Sequence, residues 1–320
     1  MGVLIPGARW AQIVEVSSFG DDTHGLPQRP KRRTSPNGGD DATTLGHGSS
    51  MSAGNVTLER RGHVTVLELS RPERRNAMGE AMWVELEARL AELEAALPRA
   101  VVLTGAGDKA FCAGQDLGMD NPQVEQLVSA VQTHDTGPVR TFLERERQVV
   151  DRLCALPVPL IAAVNGLAYG GGAELATRCD LRVVDPEAVF CFSEVKLGLM
   201  PDWGGGVGLA RLIGPGRAAD LILTARRVGA SEALSLGLAN RVSEKGKALD
   251  EAIALANAIA KNGPRAVKSA LEVLRRAPGM SSADALALEM DRAIALIATG
   301  ECAYGISALM SKSDPEFPDA

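Results

Sequence analysis

Residues 160 to 180 read LIAAVNGLAYGGGAELATRCD: an apolar run, three consecutive glycines, then a helix-forming stretch. Successive glycines leave their backbone N–H groups uncovered. A helix opening at Gly172 or Ala173 adds the positive end of its dipole to those donors, a ready site for a negative oxygen, with Glu174 in the first helical turn. The same residues can instead serve close packing, with Glu174 merely complementing the dipole. Both readings stand on this segment alone.

A second candidate donor lies in GAGDKAFCAGQDLGMD. Gly105, Gly107 and Ala110 fit G-x-G-x-x-A after a strand, a weak match to a dinucleotide fingerprint. No amphipathic helix follows, and no second strand carries an acid about 20 positions on, so the fingerprint is rejected. The alternatives are a tight turn in which Ala113 and Gly114 let the N–H of Gln115 face a cleft, and an ordinary surface loop.

Glu194 follows the strand-like VFCF and neighbours Val195, Leu197, Leu199 and Met200. Apolar surroundings raise a carboxyl pKa and suit it to proton exchange near neutrality. Asp202 precedes a helix in WGGGVGLARLIG, where an N-cap is the plainer role than catalysis. Arg74 and Arg75, in RPERRNAM, can reach a phosphate or simply form a solvated charged turn.

The elements that must position these residues are legible in the periodicity. VTLERRGHVTVLELS alternates around Arg-Gly as a hairpin does. In GEAMWVELEARLAELEAAL, Met82, Leu86, Leu90, Leu93 and Leu97 recur on one helical face. RAVVLTG (99 to 105), LIAAV, LRVV and VFCF are strands, and a helix is expected at AELATRC. A polar loop runs through Pro138 into the amphipathic TFLERERQVVDRLCAL. The segment from Gly118 to Val139 is expected to be a variable loop walling a pocket. From Trp203 onward strands disappear, and helices are expected at 216 to 224, 231 to 236, 248 to 261, 264 to 276 and 283 to 298, with Val267, Ala270, Leu271 and Leu274 on one face. The class is α/β with a helical C-terminal portion.

Composition bounds the function. The chain has 320 residues, 45% apolar, with 40 acidic against 34 basic side chains, enough for a sizeable core. A net charge of −6 gives no basic field for nucleic acid. No apolar run approaches the ~20 residues needed to span a bilayer. Five cysteines without C-x-x-C fit neither a disulfide framework nor a zinc ribbon, so a cytoplasmic location is expected. The histidines are His24, His47, His63 and His134, which leaves the C-terminal half no imidazole for a Ser-His-Asp or histidine metal site. No metal is expected, and acid-base work there falls to carboxylates. Residues 1 to 53, rich in Gly, Ser, Thr, Pro and charge from position 17, read as a disordered extension, and Met51 at its end as a candidate natural start.

Together RPERRNAM, GAGDKAFCAGQDL, PLIAAVNGLAYGGGAELATRCDLRV and FCFSEVKLGLMPDWGGG resemble, in order, the crotonase superfamily of enoyl-CoA hydratases and isomerases. The resemblance covers about residues 54 to 320. It implies a spiral of ββα units over 54 to 260, a helical trimerisation region over 261 to 320, and a homotrimer or dimer of trimers. It implies an acyl-CoA thioester substrate with no cofactor beyond the coenzyme A it carries. The thioester oxygen would lie between the N–H groups of Gln115 and Gly171. Glu174 and Glu194, twenty residues apart, would hold one water, Glu174 activating it for C3 and Glu194 supplying the proton to C2. The coenzyme would lie along Lys109, Ala110, Phe111, Ala113, Gly114, Asp116 and Leu117, with Arg74 and Gly170 nearby. Asp202 matches a catalytic aspartate of some isomerases, so double-bond isomerisation is the rival within the family, and a non-catalytic acyl-CoA-binding protein the rival outside it. Gln115 stands where hydratases often have a smaller residue, and SKSDPEFPDA only loosely matches the usual basic tail.

Overall fold

A computed structural model of the chain describes residues 54–319. The expected extension at 1 to 53 lies outside the described residues. Strands β1 (Asn55–Arg61) and β2 (Val64–Ser70) form the antiparallel hairpin, paired from Asn55 with Ser70 to Arg61 with Val64. They lead into helix α1 (Glu80–Ala95), which buries Met82, Trp83, Leu86, Leu90 and Leu93. Truncating one such leucine to alanine costs about 2–5 kcal/mol. Leu97, expected on that face, is exposed. The helix has ended at Ala95, and Pro98 disfavours helical geometry at the residue before it.

The next units repeat the plan. Strands β3 (Ala100–Gly105) and β4 (Ala110–Cys112) precede α2 (Pro122–Thr133) and α3 (Gly137–Ala155). Strands β5 (Leu160–Val164) and β6 (Leu167–Tyr169) precede α4 (Gly171–Arg178), and β7 (Leu181–Val184) and β8 (Val189–Cys191) precede α5 (Gly205–Ile213). After the first hairpin, each unit gives one strand to each of two sheets. The larger runs β1-β2-β3-β5-β7-β10 and the smaller β4-β6-β8-β9, with β9 at Val228–Gly229 and β10 at Arg241–Val242. The spiral of ββα units is thus present in topology although no repeat shows in the sequence.

Parallel pairing of β2, β3, β5 and β7 leaves these strands covered on both faces, and β3 and β5 are buried throughout. Val101 and Leu103 of β3 face the main core with α1 and α3, whereas Ala100 and Val102 face a second core. That second core is closed by Ala252, Ala256 and Ala260 of helix α8 (Ala248–Ala260), whose small side chains let the helix lie close to the sheet.

Two expectations are corrected. Residues 118 to 139 are not a loop: α2 starts at Pro122, capped by Asn121, whose side chain accepts the Gln123 N–H at 3.3 Å, and Pro138 lies in the first turn of α3. Strands do not end before Trp203. The two-residue β9 and β10 add to the sheets, too short to carry any period.

The C-terminal half is otherwise helical: α6 (Pro215–Thr224), α7 (Ala230–Leu236), α8, α9 (Pro264–Arg276), α10 (Ser282–Ala298) and α11 (Cys302–Ser311), the last not anticipated. On α9 Leu271 is buried and Leu274 exposed. Leu286, Met290, Ile294 and Ile297 form an exposed apolar stripe along α10, continued by Leu309 and Met310 of α11. Among the described residues no single helix is long and apolar enough to cross a membrane; α10 and α11 pass such a test only as a pair bent by 69°.

Candidate active site

The strand-to-helix turn after β4 delivers the first donor. Gly114 has φ +85, a conformation glycine adopts without strain. The Met78 N–H donates to the Gly114 carbonyl and the Asp116 N–H to the Met78 carbonyl, both at 2.8 Å. This parallel bridge uses the groups flanking Gln115 and leaves the Gln115 N–H without an acceptor among the described residues.

The turn after β6 delivers the second. The Gly170 N–H donates to the Cys191 carbonyl at 2.9 Å, and the Gly170 carbonyl accepts the Glu174 N–H at 3.0 Å. The Gly171 N–H, first in α4, has no acceptor among the described residues, as the opening of a helix dictates. The loops meet: a Cβ on Gly114 would lie 2.9 Å from the Gly171 nitrogen. A Cβ on Gly171 would lie 2.5 Å from ring carbons of Trp203. The triple glycine therefore serves close packing and a free donor together.

Both donors line one cavity of about 200 Å³. Its wall also carries Ala113, Leu117, Gly170, Glu174, Glu194 and Asp202, and apolar Val124, Leu127, Val139, Phe142 and Leu143. The α2 helix thus takes the walling role expected of the 118 to 139 segment.

The two acids are held differently. Glu174 is fully buried; its Oε2 accepts the Gly205 N–H at 2.7 Å and its Oε1 the Asp202 N–H at 3.1 Å. Burial and then the neighbouring Glu194 charge raise its pKa, while the two amides favour its ionised form. Glu194 opens a short 3-10 turn, Glu194–Leu197, and its Oε1 lies 3.5 Å from where a Gly170 Cβ would stand. Neither of its oxygens has a hydrogen-bond partner among the described residues. Burial raises its pKa, against weaker pulls from its own backbone amide and from Glu174.

Asp202 is not the N-cap of α5. Gly204 holds that position, and the Glu174 carboxylate takes the Gly205 N–H at the helix start. Asp202 stands at the cavity with its pKa raised by burial, opposed by its own backbone amide and by Arg147.

The residues expected along the coenzyme stand in different surroundings. Phe111 is wholly inside the main core. Asp116 is buried against Arg71 at 2.6 Å and accepts the Gly118 N–H at 2.9 Å, so it braces the turn. Arg74 pairs with Asp120 at 3.4 Å and lies 3.9 Å from Asp116. Gly114 packs against the backbone of Tyr169 and Gly171. Lys109 and Ala110 line a separate depression with Arg75, Asn76 and Gly107, in which Lys109 and Arg75 are exposed.

One carboxyl was not anticipated. Glu146 of α3 is buried at the cavity and accepts Gln123 Nε2 at 2.8 Å, Gln115 Nε2 at 3.1 Å and Trp203 Nε1 at 3.2 Å. Burial pushes it up to about 8, against the pull of the Trp203 N–H. The only trace in the sequence is an acid in register with Phe142, Val149 and Leu153 on an otherwise apolar helical face.

Comparisons with known proteins agree with this architecture. Residues 59–320 match the family model described as enoyl-CoA hydratase/isomerase. The chain is 38% identical over 253 residues to the short-chain-enoyl-CoA hydratase of Clostridium acetobutylicum, covering 79% of this chain and 90% of that one. It is 34% identical over 269 residues to the crotonyl-CoA hydratase of Syntrophomonas wolfei, covering 83% and 99%. The crystal structure of an enoyl-CoA hydratase from Bacillus anthracis superposes with a TM-score of 0.73 at 35% identity, covering 82% of this chain and 98% of that one. With a family match across most of its length and the fold to go with it, the chain belongs to the enoyl-CoA hydratase/isomerase family.

Proposed function

We propose that the protein adds water across the 2,3 double bond of trans-2-enoyl-CoA thioesters, giving 3-hydroxyacyl-CoA. The observation that carries this reading is the pair of unspent backbone donors, Gln115 and Gly171, in one cavity with two buried glutamates. Attack of water at C3 drives charge onto the thioester oxygen, and two preorganised N–H groups stabilise it there. Losing one such donor costs about 3–4 kcal/mol of barrier.

The acids divide the proton work. Glu174, whose two amide donors favour its carboxylate, takes the proton of the attacking water. Glu194, buried with no partner on either oxygen, delivers a proton to C2. Apolar residues of α2 and α3 surround the acyl chain, and Lys109 with Arg75 receives the coenzyme phosphates in their own depression.

Incubation with enoyl-CoAs of graded chain length in heavy-oxygen water tests the reading. Loss of enoyl absorbance with label at C3 is expected; no hydration at any length overturns it. Asp202 at the same cavity favours one rival, isomerisation of 3-enoyl-CoA, which takes up no oxygen label and depends on Asp202.

The exposed stripe on α10 and α11 is more apolar than a free surface ordinarily is, which supports assembly as a homotrimer through these helices. All five cysteines are unpaired, which supports a reducing, cytoplasmic setting.

A further inference from the structure

Glu146 sits on α3, which supplies neither donor loop and neither of the paired acids, yet its carboxyl touches both donor regions. Oε1 accepts Gln115 Nε2 at 3.1 Å, and Oε2 accepts Trp203 Nε1 at 3.2 Å. Gln115 Oε1 in turn accepts Trp83 Nε1 at 3.4 Å. The two indoles meet edge to face, with centroids 4.8 Å apart and planes at 83°. Gln115, Glu146, Trp203 and Trp83 therefore form a closed circuit.

Each side of that circuit bears on one backbone donor. Gln115 carries the first on its own main chain. The Trp203 ring lies so close to Gly171, which carries the second, that no side chain fits between them. Gln123 completes the cluster: its Nε2 donates to Glu146 and to Glu80 Oε2, and its Oε1 accepts from Gln115 and from Asn121. The cluster spends its hydrogen bonds internally. A group meant to recognise a polar acyl tail would present free donors or acceptors to the cavity, whereas a brace consumes them.

We propose that Glu146 is a positioning residue, a single carboxyl group that fixes the spacing of the Gln115 and Gly171 N–H groups across the thioester oxygen. The inference rests on the thioester reading of the site. Donor strength at such an oxygen depends on placement within fractions of an ångström, and a misplacement of 1 Å can cost about 100-fold in rate. Glu146 receives three N–H groups, so an amide in its place must turn an NH₂ toward at least one of them and loosen one arm of the circuit.

The test is infrared difference spectroscopy of bound [1-13C]butanoyl-CoA, a saturated ligand that cannot be hydrated. In the wild type the carbonyl band should move to lower wavenumber on binding. E146Q should lose part of that shift, with kcat lower by about 10- to 100-fold and KM little changed. W203F, which removes the Trp203 N–H donated to Glu146 and part of the ring packed on Gly171, should move the band in the same direction. The spectrum records only liganded, folded protein, so lost folding reduces its amplitude without displacing the band. If E146Q yields no folded protein, E146D, which keeps the acid but shortens its reach to Gln115 and Trp203, takes its place and should displace the band likewise. A band that keeps its wild-type position in the folded variants overturns the inference, even if their rates collapse, because Glu146 would then act otherwise. A wild-type band at the free-ligand position overturns the thioester reading and this inference with it.

Discussion

Glu174 and Glu194 share one cavity, but two backbone amides, at 2.7 and 3.1 Å, hold the first while neither oxygen of the second has a partner among the described residues. Their substitutions should therefore separate stability from rate. E174Q turns an amide NH₂ toward the Gly205 or Asp202 N–H and should cost about 1–3 kcal/mol of stability. E194Q removes an unsatisfied buried acid and should leave stability unchanged or raised. Both should lower kcat by about 10²- to 10⁴-fold. Urea unfolding with steady-state hydration assays checks this, and equal stability losses in the two variants would contradict it.

Glu146 predicts a pH dependence of stability. Its pKa lies at about 8 when folded, against 4.5 for an ordinary glutamate, so between these values the native state binds the extra proton. Stability from this group is fully present below pH 4.5 and is lost as pH rises toward 8, by up to about 1.4 kcal/mol per pH unit. Urea midpoints from pH 5 to 9 should fall less steeply in E146Q than in the wild type; parallel curves would rule the group out as the source.

Leu127 of α2 and Leu143 of α3 bound the cavity and should set acyl length. Leu127→Trp should reduce kcat/KM for eight-carbon relative to four-carbon enoyl-CoA by about tenfold or more, and Leu127→Ala should shift the ratio the other way. Identical ratios in both variants would move the length determinant off this wall.

Asp116 and Arg71 form a buried pair at 2.6 Å, each side chain 7% exposed. Asp116→Ala removes the carboxylate from this pair and leaves the Gly118 N–H it accepts without that acceptor, and should cost about 1–3 kcal/mol by chemical denaturation. A loss of a few tenths would mean that water screens the pair.

Replacing Met290 and Ile294 together by Glu places charge in the exposed stripe of α10. Light scattering should report trimers for the wild type and monomers for this variant. A wild-type monomer, or an unaltered trimer in the variant, would remove this helix from the interface.

Most of the frame is legible from short-range pattern. Alternation gives the β1-β2 hairpin, and three- and four-residue spacing gives α1 up to Leu93, failing at Leu97 because Pro98 ends the register. The α2 helix announced itself only through Asn121-Pro122, a cap followed by a residue suited to a first helical turn, and the polar context hid it. At the site, the glycine run is open in local sequence between packing and a donor role, and the pairing of Glu174 with Glu194 is legible only through the family resemblance. What the sequence hides depends on partners far along the chain: Asp116 bonds Arg71, and the start of α5, where Asp202 is the expected N-cap, is held by Glu174 from another unit. Glu146 is the extreme case, since a lone acid on a helix means nothing until Gln115 and Trp203 arrive beside it.

The α2 helix supplies Val124 and Leu127 to the apolar wall, while both reacting acids and both main-chain donors belong to other segments. Substrate preference and bond-making are thus physically separable here. Grafting residues 124 to 133 from a relative with a different preference should retune which acyl chains enter while leaving the chemistry in place, and keeping Asn121 and Gln123 from the host would preserve the anchorage of the graft.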